Sequence, residues 1–193
     1  IIHGASLASS QYYGTDPVGT LKPNVIGTMN LLELARKYEV ESFLFFSSGE
    51  VYGEIIDKVI ITETDYGRVD PINIRSCYAE SKRMGENMCK SWQHQYGVPV
   101  KIARIFHTYG PTMDIVNDKR VFAEFTSDIV NNRDIQMKSD GSAIRPFCYI
   151  SDATVAFFLI LFKGSDGEAY NLCNSDCSVS MKELADTLVS IVP

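Results

Sequence analysis

The chain has 193 residues, of which 45% are hydrophobic and 22% charged, and its formal net charge is −6. This composition is typical of a globular domain with enough apolar material for one substantial core, and it excludes a disordered chain. The negative charge argues against general attraction to nucleic acid or to an anionic membrane, and no apolar run reaches the roughly 20 residues of a membrane-spanning helix. The five scattered cysteines indicate free thiols in a reducing, cytoplasmic compartment.

The first half of the chain alternates apolar strands with amphipathic helices. The opening "IIHGAS" predicts the end of a strand, and "NVIGTMNLLELARKY" predicts a helix with Pro23 near its start. A continuous apolar strand, "ESFLFFS", follows, and then a polar loop to about Arg75. A helix from about Cys77 to Tyr96 and the strand "VPVKIARI" come next. This alternation predicts a parallel sheet covered by helices.

Beyond Gly110 the pattern is less regular. It predicts a helix near "VFAEFTSDIVNN", an extended "DIQMK", an Asp-Gly turn and a strand in "PFCYIS". A helix in "DATVAFFLILF", a strand in "EAYNL" and a last helix from about Ser180 complete the chain. We find no internal repeat and no low-complexity linker, so we predict an α/β fold with a smaller, less regular C-terminal part.

Two short stretches carry candidate chemistry. In "CYAESK", Tyr78 and Lys82 are four residues apart, so they are neighbours on one face of the predicted helix. A free phenol has a pKa of about 10, and an ammonium beside it favours the phenolate, which makes the phenol a usable base. A lone Tyr-x-x-x-Lys pair is a weak signal, because an ordinary exposed helix face can carry it.

The second stretch, "LFFSSGEVYG", strengthens the first. Ser47, Ser48 and Glu50 follow a buried strand at its carboxyl end, which is where ligands bind in an open parallel sheet. The hydroxyl of Ser48 can orient an alcohol whose proton Tyr78 removes. We therefore predict that the two stretches form one active site.

With these motifs the chain resembles the extended short-chain dehydrogenase/reductases that act on nucleotide sugars. The resemblance runs through "TLKPNVIGTMNLLELA", "SSGEVYG", "CYAESKRMGE", "ARIFHTYGP", "RVF" and "IRPFCYISD", in the family's order. Within that family, "DPINIRSCYAESKRMGENMC" is most similar to UDP-glucuronate decarboxylases. The resemblance implies residues 1–110 as the C-terminal part of an NAD-binding, Rossmann-like, doubly wound parallel sheet. It implies residues 111–193 as a smaller, irregular α/β substrate-binding region, with some elements returning to the sheet.

The resemblance also implies roles for individual residues. Tyr78 is the expected catalytic base, Lys82 serves the nicotinamide ribose, Ser48 meets the sugar hydroxyl, Glu50 is a functional acid and Asn24 supports the site. The expected cofactor and substrate contacts are Ala5, Ser6, Ser47, Tyr78 and Lys82 for NAD, and His107, Arg120, Arg145 and Tyr149 for the nucleotide sugar. A homodimer is the expected assembly, with neither nucleic acid nor membrane as a partner.

Several of these residues also have ordinary structural interpretations. Glu50 could be a loop carboxylate, Arg145 could form a surface salt bridge, and Arg120 could be merely solvated. Ser47 is expected to cap backbone groups rather than react, and Tyr52 to pack against the loop. The histidines lack metal-ligand spacing, and the Cys173/Cys177 pair has no second motif, so no metal site is predicted.

One feature of the family pattern is missing. The sequence contains no Gly-rich G-x-x-G-x-x-G or G-x-G-x-x-G fingerprint and no acidic residue following one, which would bind the pyrophosphate and ribose of the dinucleotide. The chain is therefore expected to be a fragment that lacks this half. A non-catalytic fragment or nucleotide-sugar-binding remnant is accordingly the alternative from another class.

Three reactions through a 4-keto sugar stay open within the family. Decarboxylation of UDP-glucuronate ranks first, 4-epimerisation second and 4,6-dehydration third. The ranking rests on Gly49, which cannot donate a side-chain proton, where the resemblance places a hydroxyl residue in decarboxylases and an aspartate in dehydratases. The slot that usually holds a substrate-binding asparagine is His107, which is expected to be able to carry charge near neutrality.

Overall fold

The computed structural model describes residues 1–56 and 60–191. In chain order the strands and helices are β1 (Ile2–His3), α1 (Gln11–Thr15), α2 (Pro17–Lys22), α3 (Thr28–Lys37), β2 (Phe43–Ser48), α4 (Cys77–Tyr96), β3 (Val100–Ile105), β4 (His107–Tyr109), α5 (Val121–Val130), β5 (Ile144–Tyr149), α6 (Ile150–Lys163), β6 (Ala169–Leu172), β7 (Ser178–Ser180) and α7 (Met181–Ile191). A π-helical turn lies at Pro23–Gly27, and 3-10 turns lie at Gly49–Tyr52, Ile74–Ser76 and Ser175–Cys177. Within the described ranges, no helix is both long enough and apolar enough to cross a bilayer.

The chain divides into two compact units. Unit 1 comprises Ile1–Ile105 and Thr154–Leu172, and unit 2 comprises Phe106–Ala153 and the residues from Cys173 onward. The division falls after Ile105 rather than after Gly110, because β4 pairs with β5 of unit 2. The segment that returns to unit 1 contains most of α6 and all of β6.

Unit 1 contains a four-stranded sheet in the order β1-β2-β3-β6. All of its strand pairs are parallel, which confirms the predicted parallel sheet. β2 is buried on both faces, and Phe43–Phe45 have no exposed surface, as its continuous apolar run predicts. At the carboxyl ends of β2 and β3, Ser47 lies opposite Arg104 and Ser48 opposite Ile105.

Helix α4 packs against β2 at close range. A Cβ atom on Gly85 would lie 2.4 Å from Cζ of Phe45, so only glycine permits this approach. The helix ends at Gly97, whose φ of +69° is the left-handed conformation of a C-cap, and its predicted bounds are confirmed. The core that joins the sheet to α3 and α4 consists of Leu32, Ala35, Phe43, Phe45, Met88, Cys89, Val98, Val100 and Ile102.

The helical segment before β2 begins earlier than the sequence predicts. Asp16 caps α2 by accepting a hydrogen bond from the backbone N–H of Gly19 (2.9 Å), and Pro17 occupies the first position of the helix. The prediction that Pro23 lies near the helix start is therefore wrong. Because Pro23 has no N–H to donate, the α-helical ladder cannot continue through it, and the chain widens into the π-helical turn before α3.

Unit 2 is the smaller, less regular part that the sequence predicts. Its sheet has the order β4-β5-β7, in which β4 and β5 are parallel and β5 and β7 antiparallel. The predicted Asp-Gly turn is present, with Gly141 at φ +76°. Residues 134–138, predicted as extended, form no strand among the described residues. Helices α5 and α7 contribute to the core of unit 2, which contains Phe125, Phe147, Leu184 and Ala185.

Candidate active site

Helix α4 places Tyr78 and Lys82 together in a buried position of unit 1. Tyr78 is 6% exposed and Lys82 3%, and Nζ of Lys82 lies 5.6 Å from the centre of the Tyr78 ring. The same Nζ donates a hydrogen bond to the backbone carbonyl of Phe46 on β2 (2.7 Å). The phenol and the ammonium are therefore held next to each other and close to the end of the β2 strand.

Burial changes the acidity of Lys82. Removal from water disfavours the ammonium and lowers its pKa to about 8, while the negative charge of Glu86 acts in the opposite direction. At pH 7 the ammonium is therefore still the main form. It can stabilise a phenolate on Tyr78, which is the electrostatic requirement for a tyrosine base.

Tyr13 on α1 is a neighbour of this pair that the sequence patterns did not identify. Its ring stacks on that of Tyr78, with the ring centres 4.7 Å apart and the planes inclined by 10°. The guanidinium of Arg75 lies 5.9 Å from the centre of the Tyr13 ring. Burial raises the pKa of Tyr13, and Tyr78 and Glu50 raise it further, so Tyr13 stays a neutral phenol. No local motif distinguishes it from the adjacent Tyr12, and only the fold brings it onto Tyr78.

The carboxyl end of β2 supplies the hydroxyl and the carboxylate. Ser48 is 9% exposed, and its Oγ accepts a hydrogen bond from the backbone N–H of Glu50 (3.2 Å) at the start of the 3-10 turn. The Glu50 side chain is exposed. The expectation that Ser47 caps backbone groups is wrong, because its Oγ donates to the Glu86 carboxylate (2.5 Å) and Ser48 forms the cap instead. A contact of Ser47 with the cofactor stays a prediction.

Asn24 connects the π-helical turn to α4. It is fully buried, and its Nδ2 donates to Oγ of Ser81 (3.0 Å), which lies between Tyr78 and Lys82 in the sequence. Its backbone carbonyl accepts a hydrogen bond from Oγ1 of Thr28 (2.6 Å). This geometry supports the predicted supporting role of Asn24, because it fixes α4 at the level of the tyrosine and the lysine.

The residues after β1 fit a bound dinucleotide. Ala5 is exposed, and Oγ of Ser6 is buried without a hydrogen-bond partner among the described residues. A buried hydroxyl with no partner is unfavourable unless a further group meets it, and NAD carries hydroxyl and phosphate groups that can. Ser6 and the buried ammonium of Lys82 are the groups of unit 1 that would contact the cofactor.

The predicted substrate-binding residues lie in unit 2. The ring of His107 on β4 lies 5.6 Å from that of Phe147, and Tyr149 packs edge-on to Tyr109 at 5.5 Å. Arg120 precedes α5 and pairs with Asp118, its Nε donating to Oδ2 at 2.7 Å.

The Arg145 guanidinium is exposed, and NH1 donates to the neighbouring carbonyl of Ile144 (2.8 Å). Within the part of the chain that the structure describes, Arg145 makes no ion pair, so its charge is available to an anion.

The expectation that His107 carries charge near neutrality is wrong. Burial, together with the positive charges of Arg145 and Arg120, lowers its pKa from the ordinary value of 6.5 to about 4. His107 is therefore a neutral imidazole at pH 7. The positive charge of this group of residues comes from the two arginines, a combination suited to a diphosphate.

Among residues 1–56 and 60–191, no group of three or more His, Cys, Asp or Glu side chains has an arrangement that could hold a metal ion. None of the five cysteines forms a disulfide in the structure, in agreement with the sequence-based prediction: Cys77, Cys89, Cys148, Cys173 and Cys177.

Comparison with known proteins identifies relatives along the whole chain. UDP-glucuronic acid decarboxylase 3 of Arabidopsis thaliana is 38% identical over 194 residues, an alignment that covers 100% of this chain and 55% of that protein. The chain thus spans about half the length of the curated relatives it matches. This similarity agrees with the subgroup that the sequence motifs predict.

Solved structures show the same fold. UDP-glucose 4-epimerase of Thermotoga maritima, in a complex with UDP-glucose, is 30% identical with a TM-score of 0.87, over 99% of this chain and 60% of that one. UDP-glucose 4-epimerase of Thermus thermophilus, in a complex with NAD, is 27% identical with a TM-score of 0.84, over 99% of this chain and 61% of that one. The model of the NAD dependent epimerase/dehydratase family matches residues 1–173. The chain therefore belongs to the NAD dependent epimerase/dehydratase family, as its motifs predict.

Proposed function

We propose that the complete gene product is an NAD-dependent enzyme that acts on a nucleotide sugar through a 4-keto intermediate, and that its reaction is the decarboxylation of UDP-glucuronate to UDP-xylose. The observation that carries this proposal is the buried pair of Tyr78 and Lys82 beside the end of β2. The 38% identity to UDP-glucuronic acid decarboxylases along the full chain supports the choice of reaction.

Tyr78 takes the proton from the 4-hydroxyl of the sugar. The ammonium of Lys82 stabilises the phenolate that accepts this proton, and burial of both groups strengthens the interaction because little water screens it. Ser48, at the end of β2, orients the same hydroxyl. NAD, when bound, accepts the C4 hydride and returns it at the end of the reaction.

A carboxylate on C5 lies β to the resulting C4 ketone, so it can leave as carbon dioxide. The electrons it leaves behind form an enolate, whose oxygen Tyr78 and Ser48 would hold by hydrogen bonds. Glu50, exposed in the 3-10 turn that follows Ser48, is the carboxylate for proton transfer at C5, directly or through water. Reduction of the ketone then completes a reaction without net oxidation.

The substrate diphosphate is assigned to Arg145 and Arg120 of unit 2. An unpaired guanidinium can bind two phosphate oxygens at once, and Arg145 is the better candidate because Arg120 already pairs with Asp118. Neutral His107 can donate or accept one hydrogen bond to the sugar. Tyr149, 41% exposed, offers a further hydroxyl.

A 4-epimerase is the second candidate. Gly49, which begins the 3-10 turn after Ser48, provides no side-chain proton donor, and an epimerase needs none there. The 30% identity to a UDP-glucose 4-epimerase of known structure is consistent with this alternative. Dehydration ranks third, because expelling a hydroxyl as water requires an acid at the leaving group.

The deciding experiment supplies the purified complete gene product with UDP-glucuronate, UDP-glucose and dTDP-glucose in the presence of NAD. Carbon dioxide release from the first, hexose inversion of the second and a stable 4-keto-6-deoxy product from the third are followed separately. We expect carbon dioxide and UDP-xylose. Inversion of UDP-glucose without carbon dioxide from UDP-glucuronate would make the protein an epimerase, and inertness toward all of them would support a non-catalytic nucleotide-sugar-binding role.

Two features of the biological setting belong to the same proposal. We place the protein in the cytoplasm, and the supporting observation is that its five cysteines form no disulfide in the structure. We also propose a homodimer, which light scattering coupled to size-exclusion chromatography of the complete gene product would test directly.

A further inference from the structure

Glu86 on α4 forms the centre of a buried polar cluster at the carboxyl ends of β2 and β3. Its Oε1 accepts hydrogen bonds from Oγ of Ser47 (2.5 Å) and from Nε of Arg104 (3.0 Å), and its Oε2 accepts one from NH2 of Arg104 (2.8 Å). The Glu86 and Arg104 side chains are each 13% exposed. This is a bidentate, charge-assisted pair that joins α4 to two strands at once.

Arg104 extends the cluster away from α4. Its NH1 donates to the hydroxyl of Tyr52 (2.8 Å) and to the backbone carbonyl of Glu63 (2.8 Å). The Tyr52 hydroxyl in turn donates to Oδ1 of Asn171 on β6 (2.6 Å). The cluster therefore also fixes the turn that follows Ser48 and the outer strand of the sheet.

The same carboxylate lies one helical turn from Lys82. Lys82 and Glu86 are at positions i and i+4 of α4. Both bond to adjacent residues of β2: Ser47 donates to Glu86, and Lys82 donates to the carbonyl of Phe46. One short segment of β2 is thus held between the two side chains. A shift of Glu86 would move both Lys82 and the strand end that carries Ser48.

Few other charges face Lys82. From α4 it meets Tyr78 and Glu86, and β1 contributes His3, whose pKa burial and the charge of Lys82 both lower. β2 contributes only the Phe46 carbonyl and the face of the Phe45 ring, 5.1 Å from Nζ. Within residues 1–56 and 60–191, Glu86 is consequently the negative charge that favours the ammonium.

We propose that Glu86 is a positioning residue of the active site: held by Arg104 and Ser47, its carboxylate anchors α4 against the ends of β2 and β3 and keeps Lys82 in the charged form beside Tyr78. The reason this matters for catalysis rests on the proposed function of Tyr78 and Lys82. The electrostatic link from Glu86 to Lys82 is a property of the folded chain and can be measured without substrate or cofactor.

The test is the titration of Lys82, followed by NMR in the complete gene product with 13Cε-labelled lysine, where the Lys82 signal is identified by its loss in K82R. In Glu86→Gln the carboxylate is replaced by a neutral amide of the same shape, and the midpoint is expected to fall by about one pH unit. In Arg104→Met the carboxylate loses its competing cation, and the midpoint is expected to rise. If the pair of Glu86 and Arg104 only held the elements together, both variants would shift the titration midpoint of Lys82 in the same direction.

Asp166→Asn is the matched control. Asp166 pairs with Lys101 (2.6 Å) at the opposite end of β3, so this variant breaks an ion pair on the same strand away from Lys82. It is expected to leave the Lys82 midpoint in place. If either single variant does not fold, the double variant E86L/R104M, which buries no unpaired charge, replaces it and is expected to lower the midpoint.

An unchanged midpoint in E86Q, or equal shifts in E86Q and R104M, would overturn the positioning role. Activity is then scored separately. If Tyr78→Phe abolishes turnover while E86Q leaves the Lys82 titration unchanged, the positioning role fails and the proposed function stands. If E86Q shifts the titration while Tyr78→Phe keeps full turnover, the proposed function fails and the electrostatic link stands without a catalytic purpose.

Discussion

The candidate residues of unit 1 and those of unit 2 differ sharply in their surroundings. Tyr78, Lys82 and Ser48 are 9% exposed or less, and the first two are held by contacts between elements: Lys82 with the backbone of β2 and Tyr78 with the ring of Tyr13 on α1. Arg120 and Arg145, in contrast, are exposed and bond to residues one or two positions away in the sequence. Groups assigned to proton transfer are thus fixed by the core, whereas groups assigned to binding an anion are held locally at the surface.

The difference has a physical reason. Proton transfer depends on distance and on a weakly screened charge, so it gains from side chains that the fold has already immobilised. A guanidinium that binds a diphosphate gains little from burial before the ligand arrives, because removing it from water without a partner is unfavourable. The buried site is therefore expected to lose function when a residue that holds it in place is changed. At the exposed site, each substitution is expected to remove only the contact of the substituted residue.

The largest expected effect comes from removing the hydroxyl of the buried base. Tyr78→Phe keeps the ring that stacks on Tyr13, so the fold and nucleotide-sugar binding should survive. Turnover by the complete gene product should fall by about 10²- to 10⁴-fold, the usual contribution of a general base. The loss is measured as carbon dioxide release at saturating substrate, with Tyr12→Phe as the control; a fall of less than tenfold would remove Tyr78 from this role.

A single exposed guanidinium should matter less. A bidentate contact with phosphate contributes about 1.5 to 3 kcal/mol, so Arg145→Ala should weaken UDP binding by roughly 10- to 150-fold. Arg133 is the matched control, since it is a half-exposed arginine of unit 2 that already pairs with Asp128 (2.9 Å). In calorimetric titrations, Arg133→Ala should bind UDP with the same affinity as the wild type. If Arg145→Ala also does so, Arg145 does not bind the diphosphate.

Removing the buried ammonium should stabilise unit 1. The pKa of Lys82 is about 8 in the folded chain, and its ordinary value is 10.5. Below pH 8 the lysine is charged in both the folded and the unfolded chain, so the free-energy cost of burying the charge is fully present. Lys82→Met should therefore raise the free energy of unfolding at pH 7 by about 1 to 3 kcal/mol, while activity is lost. Arg145→Met, at the exposed site, should change stability by less than about 0.5 kcal/mol.

The pH dependence has a defined sign. Above pH 8 the folded lysine loses its proton while the unfolded one keeps it, so the unfavourable contribution shrinks as pH rises toward 10.5. Urea unfolding of the wild type and Lys82→Met should therefore converge over this window. A constant difference from pH 7 to 10 would show that the gain has another origin, such as side-chain packing.

Much of the buried region could be predicted from the sequence, because its signals are local. The continuous apolar run of residues directly predicts the β2 strand, and the glycine after Tyr96 directly predicts the end of α4. The sequence pattern wrongly predicts that the helix before β2 starts at Pro23, although Asp16 followed by Pro17 carries the usual signal of an N-cap and a first position. Pro23, six residues later, offers a second possible first position for the helix and so competes with the signal at Pro17.

The supports of the site could not be predicted, because they are long-range contacts. Glu86 meets Ser47 and Arg104, which are 39 and 18 residues away, and no local spacing indicates that these three side chains converge. Tyr13 and Tyr78 are likewise distant in sequence. The residue type alone also predicts the wrong charge state for His107, because burial and two arginines determine its pKa.

The smallest expected effect is the pH response of the exposed site. With its pKa lowered to about 4, His107 stays neutral from pH 8 down to about 5.5, so it adds no positive charge to Arg145 and Arg120 over that range. UDP-glucose is the suitable ligand, because neither of its phosphoryl groups titrates there. Its affinity for the complete gene product, measured by calorimetry, should change by less than about twofold. Histidine with its ordinary pKa of about 6.5 would instead become cationic as the pH falls and tighten diphosphate binding. His107→Asn should behave like the wild type across the range, whereas a several-fold tightening at pH 5.5 that this variant abolishes would show that His107 is charged and takes part in binding the diphosphate.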